Sequence, residues 1–448
     1  MNTVPMLEAD IARWRAALAR SRAIVPSDAD ELESHLREQV TDLRAVGLDD
    51  QEAFLVAVGR LGRMHAITAE FAREHGDRIW KQLAPIVDDA AGRRRPLLLM
   101  LGFAVLSALL IQAVRLLAGG TEPAPWYYRN LGLVLLLPLA VWFVLIRAVP
   151  PRRTVALAAV VAMLAVAVST FPFRADSATG ALAAAGLAVV IWFVVGVTYL
   201  GGDARPLARR MEFVRFSGEW AIYFILLALG GGVLLALGGL VLAPIVPEAP
   251  EALSIWVIPS GAAGGVVVAA WLVEAKKSVV ENLAPVLTAI FTPLFALLLL
   301  AAVVLYAVAG IGRDFDRDLL TVFDTLLLVV LGLVLYGLSA RDPMRRAGLS
   351  DALRAGAVVA ALLLDVLVLA SMLARVAQFG FTANRTAALG LNLLLVVDLA
   401  GTAVLSARLL AGRTDAARLE RWQTAYLPAF GVWAVLVVLV LPPVFGFA

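Results

Sequence analysis

From Pro96 onward the chain is written as one apolar block after another, each about as long as a membrane is thick. A hydrocarbon core of about 30 Å takes about 20 apolar residues of helix to cross. In lipid the backbone must also satisfy its own hydrogen bonds, which for runs of this length means helices. The pattern predicts an all-α fold, a polytopic transmembrane helical bundle, with spans at 96–119, 130–148, 154–172, 180–200, 217–245, 253–274, 286–311, 318–339, 353–377, 385–410 and 425–447. Residues 93–448 are therefore expected to form a membrane domain of about 11 helices. A hydrophobic fraction of 61%, a charged fraction of 16% and a mean hydropathy of +0.87 exclude an ordinary soluble core.

Several chemistries are excluded by what the sequence lacks. There is no cysteine, so disulfides, thiolate metal sites and cysteine nucleophiles are ruled out together. His35, His65 and His75 all precede the apolar region, which removes a histidine metal site from the bilayer. None of the glycine runs is followed by the Gly-Lys-Ser/Thr of a phosphate loop, so the chain carries no ATPase module of that kind. No catalytic set, cofactor site or metal site is expected.

Residues 1–92 read differently. They hold 11 Lys and Arg against 16 Asp and Glu, an acidic balance unsuited to nucleic acid. Leu7, Ile11, Trp14 and Leu18 alternate with arginines at helical spacing, which is an amphipathic helix and not a signal peptide. Ser27 is placed to cap a second helix, with Leu32, Leu36, Val40 and Leu43 on one face. Asp49 is placed to cap a third, with Ala53, Phe54, Ala57, Val58 and Leu61 inward, and a fourth carries Ile67 and Phe71. Three or four short helices with such stripes predict a small bundle.

The stretch Glu31-Leu-Glu-Ser-His-Leu-Arg-Glu-Gln-Val, followed by Gly47-Leu-Asp-Asp-Gln-Glu-Ala-Phe-Leu-Val-Ala-Val-Gly-Arg-Leu-Gly62, resembles the permease prefix domain, a helical signalling-type module over about 80 residues. The resemblance implies a cytoplasmic regulatory or docking head with a protein partner, and implies no chemistry. The second half of the membrane region is similar to a family of bacterial multi-span proteins of unknown function. It carries Glu274-Ala-Lys-Lys, Phe291-Thr-Pro-Leu-Phe295, Ser339-Ala-Arg-Asp-Pro343, Phe379-Gly-Phe-Thr-Ala-Asn-Arg385 with Ala388-Leu-Gly-Leu-Asn392, and Leu441-Pro-Pro443. The two resemblances together imply the bacterial cytoplasmic membrane.

With the head cytoplasmic, the inner loops hold Arg147, Arg152, Arg153; Arg205, Arg209, Arg210, Arg215; Lys276, Lys277; Arg341, Arg345, Arg346; and Arg408, Arg413, Arg418, Arg421. The outer loops hold Arg129, Arg174, Arg313, Arg317, Arg375 and Arg385. That asymmetry fits a cytoplasmic N-terminus and an outer C-terminus, and it accounts for the basic loops without an anionic partner. Trp126, Tyr127 and Tyr128 are expected as interfacial anchors, and the bilayer is the one partner the sequence requires.

Inside the spans, Gly230, Gly231 and Gly232 interrupt the fifth, and Gly261 and Gly265 form a small-residue repeat in the sixth. Close helix packing is one reading, and a broken helix whose backbone binds substrate is the other. Asp365 and Asp398 stand at mid-span, where a charge costs roughly 2.5 to 3.5 kcal/mol or more. Each lies 16 or 17 residues from Phe381, so a hairpin centred there puts them at nearly equal depth. They are either a structural pair or a proton or cation site. Arg115, Arg375 and Arg385 are candidate counter-charges, and Asp324 is a further charged group in a span. The leading reading is a non-enzymatic sensor or regulatory component and the runner-up a secondary transporter or permease subunit; a third, an intramembrane lipid-modifying enzyme, lacks the clustered polar residues such chemistry requires. A polar cavity reaching Asp365 and Asp398 favours the transporter, and a sealed bundle the sensor.

Overall fold

The computed structural model describes residues 7, 11, 26–45, 48–54, 56–58, 90–120, 122–244, 246–275, 283–309, 317–341 and 347–448. The chain divides into two compact units, Met1–Gly92 and Arg93–Ala448.

In the first unit α1 spans Pro26–Ala45, and residues 50–54 and 56–58 are helical. Asp49 starts this second stretch. Its Oδ1 accepts from the amides of Gln51 at 2.9 Å and Glu52 at 2.7 Å, while Glu52 reaches back to the Asp49 amide, a reciprocal cap. Leu36, Val40 and Leu43 of α1 close on Ala53, Ala57, Leu7 and Ile11 in one apolar cluster. The expected fourth helix, with Ile67 and Phe71, lies outside the described residues.

Among the described residues the second unit carries the remaining long helices. They are α2 (Ala90–Leu117), α3 (Leu131–Ile146), α4 (Pro151–Thr170), α5 (Ala178–Tyr199), α6 (Leu207–Leu242), α7 (Ile258–Ala275), α8 (Leu283–Ala309), α9 (Arg317–Ser339), α10 (Leu349–Phe379), α11 (Ala383–Leu410) and α12 (Ala416–Leu439). Among the described residues there is no strand, and nine helical segments are long and apolar enough to cross a membrane. Two further apolar stretches, Leu131–Ile146 and Ile290–Val304, are shorter. The chain is an all-α polytopic helical bundle.

Local chemistry sets the ends. Ser177 and Asp415 cap α5 and α12 through their side-chain oxygens, and Thr382 caps α11. Gly380, at φ +72°, ends α10, a left-handed turn that a side chain would strain. Two cores follow. One gathers Phe143, Leu187, Ile191, Phe213 and Phe216, with Trp192, Tyr199 and Trp220 stacked against it. The other gathers Leu299, Leu327, Val330, Leu331, Leu364, Leu395 and Leu399 from α8 to α11.

Polar bonds lock the ends of the helices. Arg147 meets both oxygens of Glu274 at 2.9 Å and lies over the Tyr199 ring. Arg341 and Arg354 converge on Asp351, which also accepts from the Gly348 amide, so the α9 to α10 connection is tied by one buried carboxylate. Tyr127 is buried beside Ile111, Val134 and Ala263, so of the expected anchors only its neighbour Tyr128 is more than half exposed.

Candidate functional site: a buried carboxyl cluster beside a deep cavity

Asp365 lies on α10 with no exposed surface, and neither carboxyl oxygen has a hydrogen-bond partner. Residues seven apart return to nearly the same face of a helix, so Met372 stands two turns away above it. Met372 Sδ lies 3.7 Å from Asn392 Nδ2 of α11, and the same amide donates to Asp324 Oδ1 of α9 at 2.9 Å. Among the described residues, Asp324 is the one carboxylate within Coulombic range of Asp365. Asn392 is fully buried, and its Oδ1 also lacks a partner. Three helices thus converge on Asp365, Asp324 and Asn392.

Asp398 turns elsewhere. Its Oδ1 accepts from Gln423 Nε2 of α12 at 3.2 Å, and Gln423 also donates to Thr402 Oγ1. Trp422 Nε1 and Thr402 Oγ1 both donate to the Asp398 carbonyl, at 3.2 and 2.7 Å. No hydrogen bond joins Asp365 to Asp398. Although α10 and α11 pack as a hairpin, one aspartate faces α9 and the other α12. Asn392 and Gln423 were missed from the sequence. Each had a signal, an amide within or just before an apolar span, but a neutral amide there is far less expensive than a charge.

The arginines also separate. Arg115 is nearly buried, bonded to Gln112 Oε1 and stacked 4.1 Å over Trp256, while Gln112 itself donates to Trp256 O and Ser260 Oγ. These contacts hold the π-helical turn Leu253–Val257, so Arg115 is engaged away from both aspartates. Arg385 donates to the carbonyls of Phe379 and Gly380 at 3.1 and 2.9 Å, closing the end of α10.

Arg375 and Arg385 come together at a cavity of about 1010 Å³. Its walls are α5, α9, α11 and α12, with Met372 and Arg375 from α10. Thr321, Asp324, Arg375, Thr382, Asn384 and Arg385 form one end; Leu328, Leu331, Leu335, Leu391, Phe430 and Trp433 form much of the rest. Asp324 is the link, because it lines the cavity and belongs to the carboxyl cluster. Asp365 and Asp398 are not in the wall.

The glycines do neither of the things expected of them. α6 runs unbroken through Gly230, Gly231 and Gly232, and no neighbouring atom stands within 4 Å of where their side chains would be. The same holds for Gly261, and Gly265 touches only Phe224. The close approach on α7 is made by Gly264, against the Ala104 carbonyl. Among the described residues no group of His, Cys, Asp and Glu is arranged to hold a metal. No protein family, curated protein or solved structure matches the chain.

Proposed function

We propose that this protein is a secondary carrier of the bacterial cytoplasmic membrane, moving a small molecule through the cavity between α5, α9, α11 and α12 with a proton or monovalent cation taken up by Asp365 and Asp324. One observation carries the reading. Asp365 is fully buried in a membrane-spanning helix with both oxygens unpartnered, next to the carboxylate that lines the cavity. An intramembrane carboxylate without a counter-charge is expensive, and neutralisation by a proton or cation is the direct way to relieve it. The basic-loop asymmetry supports a cytoplasmic head, which puts the cavity end with Thr382 and Arg385 on the outer side. The resemblance of residues 31–62 to the permease prefix domain supports a cytoplasmic partner that docks on the head.

A sensor without transport is the second reading, favoured by the absence of Asp365 and Asp398 from the cavity wall. Proteoliposomes separate the two. Under an imposed membrane potential, vesicles holding the parent should take up protons or cations, and Asp365→Asn and Asp324→Asn should not. Parent vesicles as tight as protein-free ones to protons, Na⁺ and K⁺ would refute the carrier.

A further inference from the structure

The cavity, at about 1010 Å³, has the size of a large small-molecule site, and of the charged groups in its wall Asp324 is the one left uncompensated. Arg385 directs its guanidinium at the Phe379 and Gly380 carbonyls, and Arg375 is engaged by an interaction of its own. Asp324 differs from both. Among the described residues it accepts one hydrogen bond, from Asn392 at Oδ1, which leaves Oδ2 without a donor, and no Lys or Arg lies within Coulombic range of it. On α9, Asp324, Leu328, Leu331 and Leu335 stand at i, i+4, i+7 and i+11, which is one face of the helix, and all four line the cavity. The carboxylate thus heads an apolar strip about 16 Å long. Phe430 and Trp433 of α12 line the same space, and the Trp433 N–H is already donated to the Ala387 carbonyl, so that ring offers apolar surface and no donor. Among the described residues no set of side chains is arranged to hold a metal ion. A neutral apolar solute would leave the carboxylate unmet, and an anion would be repelled by it.

We propose that this cavity takes a hydrophobic amine, its ammonium donating to Asp324 Oδ2 and its apolar body laid along Leu328, Leu331 and Leu335 beside Phe430 and Trp433. The inference rests on the carrier reading and supplies its substrate. It also divides the work of the two carboxylates. The ammonium answers Asp324, and the proton or cation is left to Asp365. Like charges oppose each other strongly in a low-dielectric interior, so a proton or cation on Asp365 leaves Asp324 the more able to hold an ammonium, and the two uptakes favour each other.

The full chain in nanodiscs is titrated with radiolabelled dodecylamine, and binding is counted above that of protein-free discs. Dodecanol, dodecanoate and ethylamine are the competitors. Dodecylamine should bind saturably. Dodecanol, which keeps the apolar body and loses the charge, should compete at least tenfold more weakly. Dodecanoate, with the wrong charge, and ethylamine, without the body, should not compete. Asp324→Asn keeps the size of the side chain and an acceptor for Asn392, and it should weaken dodecylamine by about tenfold or more, the loss of a charged hydrogen bond. Gly332→Phe tests the other end without touching the carboxylate, since Gly332 lines the cavity and has no atom within 4 Å of its Cβ position. The added ring should fill the strip and abolish binding. Equal competition by dodecanol, competition by dodecanoate, or undiminished binding in Asp324→Asn or Gly332→Phe overturns the proposal. Should Asp324→Asn fail to fold, the competitor series on the parent and Gly332→Phe decide without it. Ion movement measured on the same preparations keeps the two readings apart. Movement lost in Asp365→Asn, with no dodecylamine binding to the parent, removes the substrate class and leaves the carrier; dodecylamine binding without ion movement does the reverse.

Discussion

Replacing Asp365 and Asp398 by alanine should have unequal effects, and the inequality can be worked from the contacts. Both side chains are essentially unexposed, at 0% and 1%, and both sit within long helices. Truncation to alanine therefore removes the same atoms, leaves a similar small void and brings the same gain in helix propensity at either site. What differs is the partner left behind. Asp398→Ala strands one hydrogen of Gln423 Nε2, whose other contact is Thr402 Oγ1, and an unmet buried donor costs about 1–3 kcal/mol. Asp365→Ala strands nothing, because neither oxygen has a partner, and it removes a buried carboxyl from the range of Asp324. Asp398→Ala should accordingly be less stable than Asp365→Ala by about 1–3 kcal/mol, with Asp365→Ala close to the parent or above it. Reversible unfolding in mixed detergent micelles, followed by tryptophan fluorescence, measures both. Equal losses, or a larger loss for Asp365→Ala, would refute the reasoning, since they would require a bond at Asp365 that matters to the fold. A stable Asp365→Ala that has lost transport is the signature of a group kept for function at a cost to stability.

Other expectations follow from the packing and the charges. Alanine at Gly390 or Gly401 would drive a methyl into the Trp433 or Trp422 ring, so each should lose about 1–3 kcal/mol or fail to accumulate, while Gly231→Ala meets no atom within 4 Å and should be neutral in the same unfolding assay. Since the chain lacks cysteine, Ala175→Cys, Glu248→Cys and Ser350→Cys can be probed with an impermeant thiol reagent on intact cells. The first two should label from outside and the third should not, and strong external labelling at Ser350 would invert the topology. Leu36→Asp should unfold the isolated segment 1–92, because Leu36 is fully buried in its apolar cluster and an unpaired carboxylate there costs several kcal/mol; circular dichroism that stays helical would contradict this.

The spans were legible because hydrocarbon imposes a length and a polarity at once. Each expected segment coincides with a helix, yet the helices outrun the apolar runs. α6 begins at Leu207 rather than 217 and α12 at Ala416 rather than 425, since helices continue through the interface on Arg209, Arg210, Arg418 and Arg421, where apolarity gives no signal. Asp365 and Asp398 were legible as buried groups because a mid-span charge has few alternatives. Their partners were not. Depth follows from counting along a hairpin, but facing depends on each helix's rotation about its axis, and that is fixed by which helices pack on α10 and α11. The glycine readings missed for a related reason. Spacing marks where a close approach is sterically allowed, while the approaches made, such as Gly264 on Ala104, depend on which face meets a neighbour.

The carboxyl cluster is short of one kind of group. Asp365 brings two acceptors without a donor, and Asn392 brings a third at Oδ1, while the Asn392 amide is already spent on Asp324 Oδ1 and the Ala388 carbonyl. A single proton would give one carboxyl an O–H and lower the charge together. Release of that proton would return the cluster to unmet acceptors and repelling carboxylates, a state the surrounding apolar packing of Leu364, Val368 and Leu395 cannot relax by admitting other donors. What can respond is Asp324, because it alone of the three opens on the cavity. On the proposed carrier reading, the occupancy of a sealed site would be visible to whatever occupies the cavity through one side chain on α9. Coupling by this route needs no continuous polar channel to Asp365, only an α9 whose carboxylate can face the cluster and the cavity in turn.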